Sequence, residues 1–116
     1  MLKFEKLDVW QRAVDFSYQI HMLTRKFPRE ELYILTSQIK RAADSVALNV
    51  AEGSTGQSND EFRKFIGYSI RSAIEVVSCL HIGNRRDIIN DKDFGECYSI
   101  AEIIIKMLQA LRRSLS

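Results

Sequence analysis

Proline and glycine are scarce in this 116-residue chain: one proline, Pro28, and five glycines. Turn-rich all-β architectures need both at their corners, so the scarcity favours long helices. Cysteine is sparse too. Cys79 and Cys97 have no metal-type spacing and both fall at apolar helical positions. They read as small buried hydrophobes in a reducing cytoplasm. No run approaches membrane-spanning length. The opening MLKFEKLDVW is charged throughout and lacks the apolar stretch of a secretory leader. A cytoplasmic protein with no membrane partner is therefore expected. A large excess of one charge is also missing. The net charge of +2 neither announces a nucleic-acid partner nor excludes one. His21 and His81 stand alone on different segments, no Glu-x-x-His pair occurs, and Glu75 and Glu102 are isolated. A di-metal carboxylate bundle would need such pairs. No catalytic residue, metal or cofactor is expected.

What the chain has is helical periodicity. Val9, Ala13, Phe16, Ile20, Leu23 and Phe27 recur at spacings of three and four, one stripe of an amphipathic helix. A second stripe runs through Leu32, Leu35, Ile39, Ala42, Val46, Asn49 and Gly53. A third runs through Phe62, Ile66, Ser69, Ala73, Val76, Leu80 and Gly83. The fourth takes Phe94, Cys97, Ala101, Ile104, Leu108, Leu111 and Leu115. Asp8 with Gln11 and Ser58 with Glu61 have the spacing of capping boxes, and Asn90 or Asp91 can cap the fourth helix. Helices over about 8–26, 30–52, 59–87 and 92–115 are predicted. Short links between them make antiparallel neighbours, so residues 1–116 form one all-α, up-down-up-down four-helix bundle.

Two features exceed what a monomeric bundle needs. Tyr33, Ile34, Ala47, Leu48 and Ala51 lie off the second stripe, and Phe65, Tyr68, Ile70, Ile74, Val77 and Ile82 lie beside the third. A helix that is apolar nearly all round is expected to be buried all round, here at a subunit interface. Polar residues also sit within the second helix. Asn49 on the stripe, Glu52 at its edge, Ser45 one turn back and Arg41 beyond it suggest a structural polar network. Gly53 is expected to stop the helix in a left-handed conformation.

The blocks LDVWQRA, EELYILTSQIKRAADSVALNVAEG and SNDEFRKFIGYSIRSAIEV carry a resemblance. The chain resembles the bacterial four-helix-bundle family named for 23S ribosomal RNA intervening sequences, over about Phe4 to Leu115. The resemblance implies a homo-oligomer, with a pentamer as the expected size, and no established enzymatic activity. Relatives of that family include the accessory protein of diversity-generating retroelements, a pentamer associated with nucleic acid and a reverse transcriptase. Arg41, Asn49, Glu52 and Gly53 belong to the family signature. This chain departs from it in having no proline near Ala47, no arginine in the STGQSND loop, and Arg71 where many members have glycine.

Basic residues come in pairs and small groups. Residues 1–29 hold six basic and three acidic groups, so the positive excess is assigned to the first helix and its ends. Candidate nucleic-acid-binding residues are Arg25, Lys26, Arg29, Lys40, Arg63, Lys64, Arg71, Arg85 and Arg86. No base-reading module is recognisable, so contacts to an RNA or DNA backbone are expected. An oligomer would repeat each weak patch and make binding multivalent. The resulting expectation is a non-enzymatic, self-associating, nucleic-acid-associated scaffold. The alternative is a scaffold for a protein partner.

Overall fold

The periodic segments become four helices: α1 (Asp8–Thr24), α2 (Ser37–Ser54), α3 (Asn59–Arg85) and α4 (Asp91–Ser114). They are seen in a computed structural model that describes residues 1–116. α1 packs on α2, α2 on α3, α3 on α4, and α4 closes on α1. The result is an antiparallel bundle measuring 43 × 22 × 21 Å. Up-down order puts the α1–α2 and α3–α4 connections at one end, here the connection end. The chain termini and the α2–α3 connection share the other, the terminal end.

The apolar stripes build the core. Phe16, Ile20, Ile39, Val46, Ile66, Val76, Leu80, Ile104 and Leu108 lose all or nearly all contact with solvent. Each such side chain contributes about 1.5–3 kcal/mol relative to exposure. Ser69, on the third stripe, is fully buried because its Oγ donates to the Val46 carbonyl at 2.7 Å. Ser58 caps α3 by accepting from the Glu61 amide at 3.1 Å, and Asn90 caps α4 by accepting from the Asp93 amide at 2.7 Å.

Several expectations need correction. Asp8 does not cap α1. A 3-10 turn, Lys3–Lys6, precedes the helix, which leaves Leu7 as the N-cap and Asp8 already helical. Gln11 instead reaches back to the Glu5 carbonyl at 2.8 Å, and Asp8 pairs with Arg12 at 3.4 Å. The second helix does not start as a plain α-helix either. A 3-10 turn at Arg29–Glu31 and a π turn at Leu32–Thr36 lead into it. The wider turn shifts the register, so Leu35 and Thr36 are buried while Leu32 is exposed. Further along, Val50 fills the core and Asn49 sits at its edge, half-buried. One 18-residue stretch of α3 is, by length and composition alone, apolar enough to cross a membrane, contrary to the sequence expectation. In the bundle α3 is a core helix with Phe62, Ile66, Ile70, Ala73, Val76 and Leu80 buried.

Gly53 is not a left-handed stop. No glycine has positive φ, and α2 continues through Ser54. A Cβ at Gly53 would lie 2.5 Å from the Phe65 Cβ and 3.1 Å from the Phe62 ring. The missing side chain lets α2 and α3 approach closely. The residue that does carry positive φ is Asp87, at φ 60, in the α3–α4 connection. There the Ile88 and Ile89 amides both donate to the Gly83 carbonyl, closing the end of α3.

Two stability outcomes follow. Gly53→Ala gains about 1 kcal/mol of helix propensity but overpacks the Phe65 contact by about 1–3 kcal/mol. The expected net is a loss, read as a lower midpoint in urea unfolding. An unchanged or raised midpoint would show that the helices can separate at no cost. Asp87→Gly is expected to raise stability by under about 1 kcal/mol, whereas Asp87→Val lowers it by about 1–2 kcal/mol, because a β-branched side chain resists the left-handed region. Thermal melts of the two variants should therefore move in opposite directions.

Candidate nucleic-acid interface

Folding redistributes the charge that the chain order suggested. Arg25, Lys26 and Arg29 do share the connection end with Arg85 and Arg86, as the up-down topology requires. Lys92 joins them. Six acidic groups lie at the same end: Glu30, Glu31, Asp87, Asp91, Asp93 and Glu96. That end is therefore balanced, so Arg25, Lys26 and Arg29 do not carry the positive excess expected on the first helix and its ends. Lys26 is bound there directly, with its Nζ 2.9 Å from Asp93 Oδ2. This hydrogen bond, and the carboxylate charge behind it, hold the Lys26 ammonium above its usual pKa.

The terminal end carries the excess. The N-terminal turn, the starts of α1 and α3 and the end of α4 gather Lys3, Lys6, Arg12, Arg63, Lys64, Arg112 and Arg113. Against these seven stand five acidic groups: Glu5, Asp8, Glu52, Asp60 and Glu61. The middle of the bundle is balanced, so the net +2 of the chain resides at this end. Only Arg12 and Arg63 have ion pairs here, and the Arg63–Asp60 pair is long at 3.9 Å. Lys3 Nζ lies 5.3 Å from the Phe62 ring centre and Lys64 Nζ lies 6.0 Å from that of Tyr68. Aromatic faces thus hold two ammonium groups in place without cancelling their charge.

Of the nine predicted residues, Arg63 and Lys64 belong to this basic end. Five lie at the balanced end. Lys40, half-buried, and Arg71, exposed, stand apart along the body of the bundle. Sequence reasoning missed Lys3, Lys6, Arg112 and Arg113 as neighbours of Arg63 and Lys64. Their proximity comes from the termini meeting the α2–α3 connection, which no local pattern reports.

The predicted polar network is half assembled. Asn49 Nδ2 donates to the Ser45 carbonyl at 2.9 Å and to Ser45 Oγ at 2.8 Å. Ser72 of α3 joins, its Oγ donating to Ser45 Oγ at 2.9 Å. Arg41 and Glu52 take no part. Both point outward from α2, are exposed, and have no ion pair in the chain. Beside them, Gln38 Nε2 donates to Glu75 Oε2 at 2.9 Å. These bonds fix how α2 and α3 register.

A second polar cluster links α1 and α2. Ser17 donates to Asp44 Oδ1, and His21 Nε2 lies 3.0 Å from the same oxygen. Ser17 and His21 are four residues apart and so share a helix face. Their carboxylate partner on another helix was invisible in the sequence. Asp44 stands between the hydroxyl and the imidazole. The histidine therefore does not touch the serine as a general base must, and the cluster braces the two helices. Burial raises both thiols, Cys79 and Cys97, the latter to about 11, with Asp93 and Glu96 adding to the effect. At neutral pH they stay protonated and unreactive.

The family profile described as 23S rRNA-intervening sequence protein matches residues 5–110. No match to the chain is found among curated proteins. A similar solved structure is a protein of unknown function from the S23 ribosomal protein family of Bacteroides thetaiotaomicron. It is 19% identical, with a TM-score of 0.81 over 90% of this chain and 97% of that one. At that identity the likeness shows the shared bundle fold. With the profile matched over nearly the whole length, the chain belongs to the 23S rRNA-intervening sequence protein family.

Proposed function

We propose that this protein is a non-enzymatic, homo-oligomeric scaffold that associates with RNA or DNA through backbone contacts at its terminal end. The observation that carries the reading is the concentration of the chain's positive excess there. Lys3, Lys6, Lys64 and Arg112 have no ion pair within the chain, and phosphate oxygens are the groups such cations neutralise. Self-association is supported by exposed apolar side chains on α2 and α3 and the turn before α2. Tyr33, Ile34, Leu48 and Ile74 are each more than half exposed. The family's description, which refers to intervening sequences of 23S rRNA, agrees with a nucleic-acid setting. One basic end per chain is a weak site; several on one assembly are not.

The test is light scattering of the full chain, with and without a mixed RNA and DNA pool, at low and moderate salt. The expected result is a discrete oligomer that gains mass with nucleic acid and loses it as salt rises. The combined Lys3→Glu, Lys6→Glu and Lys64→Glu variant should weaken binding at least about tenfold and flatten the salt dependence. Reversing Arg25, Arg29 and Arg85 should change it far less. Equal loss from both sets would remove the terminal end as the interface. An oligomer indifferent to both polymers at low salt would overturn nucleic-acid association and favour a protein partner.

A further inference from the structure

Arg41 and Glu52 lie eleven residues apart, and about eleven residues complete three turns, so they share one face of α2. Leu48 stands between them on the outermost face of the helix, 64% exposed. Glu102 and Arg113 of α4 repeat this spacing with the signs reversed. All four charged side chains are exposed, and none has an ion pair in the chain.

The two pairs also match in level along the bundle. Arg41 lies between Gln38, bonded to Glu75, and Ser45, bonded to Ser72. That sets it level with Ile74 of α3, which lines one groove together with Glu102. Glu52 adjoins Gly53, which packs on Phe65. Two residues beyond Phe65, Gly67 faces the Arg112 guanidinium, next to Arg113. α2 and α4 run in the same direction, both away from the connection end.

We infer that α2 of one copy packs against α4 of the next, Arg41 pairing with Glu102 of the partner subunit and Glu52 with Arg113 of the partner subunit. The inference rests on the self-association proposed above and names its contact. Copies related by rotation about an axis along the bundle keep direction and level, so both pairs form at once. Leu48 then covers Gln109 of the partner subunit. The contact joins two different faces and can close into a ring. Every terminal end then points to one side of the ring, which multiplies the basic surface. The Glu52–Arg113 pair consumes one charge of each sign and leaves its excess intact.

Charge reversal with rescue tests this, read by sedimentation equilibrium of the full chain, with helical circular dichroism confirming that each variant folds. Arg41→Glu and Glu102→Arg should each weaken self-association about tenfold or more, and the double variant should restore it. Rescue of Arg41→Glu by Glu52→Arg instead would indicate an antiparallel α2–α2 contact about a two-fold axis and overturn the α2–α4 assignment. An oligomer untouched by either single reversal would overturn this contact while self-association stands. A wild-type monomer at all concentrations would overturn self-association and the contact together.

Discussion

α2 and α3 meet almost backbone to backbone where Gly53 leaves no room for a Cβ beside Phe65. That close approach sets the conditions for the rest of the interface. It brings Ser69 Oγ within 2.7 Å of the Val46 carbonyl and Ser72 within 2.9 Å of Ser45. Small side chains allow polar groups of two helices to satisfy one another without long, flexible linkers. A buried hydroxyl with no partner would cost about 1–3 kcal/mol, so these bonds permit few alternative registers. Asn49 then extends the seam by bonding Ser45. The polar residues on α2 are thus part of the architecture, holding the two helices in register.

Fixing that register decides which residues are left outside. With Val46, Val50 and Ala43 turned inward, Arg41, Leu48 and Glu52 point away from the core. A charged residue on an outer face is ordinary. A leucine framed by two unpaired charges of opposite sign is a pattern a second surface can match. The same constraint fixes levels between helices, because each seam bond pins α3 against α2 and the α3–α4 contacts pin α4 in turn. Charges distant in the chain thereby acquire definite heights along a 43 Å body, and the terminal end becomes the basic one.

Much of the fold was legible from periodicity. The stripe from Val9 to Phe27 is buried as spaced, and Ser58 and Asn90 both cap their helices, Ser58 through its own hydroxyl without a return bond from the Glu61 side chain. The misses have local causes. The 3-10 turn before α1 moved the cap from Asp8 to Leu7, and the π turn before α2 inserted a residue and turned Leu32 outward. Gly53 was read through backbone freedom when its role is steric, and only a neighbouring helix can show that. The nine candidate basic residues were identified by chain position, and folding divided them between two ends and the body.

The sequence by itself determined that four amphipathic helices form and that they alternate in direction. Both follow from interactions within a few turns: the 3.6-residue period, the caps and the short connections. Only the tertiary structure decided which charges are neighbours, which polar groups bond across helices, and why position 53 must lack a side chain. Those depend on contacts between residues far apart in sequence, such as Ser45 with Ser72 or Lys3 with Phe62. Such pairs have no period and no spacing rule. Helix packing sets them, and packing is a property of the assembled core.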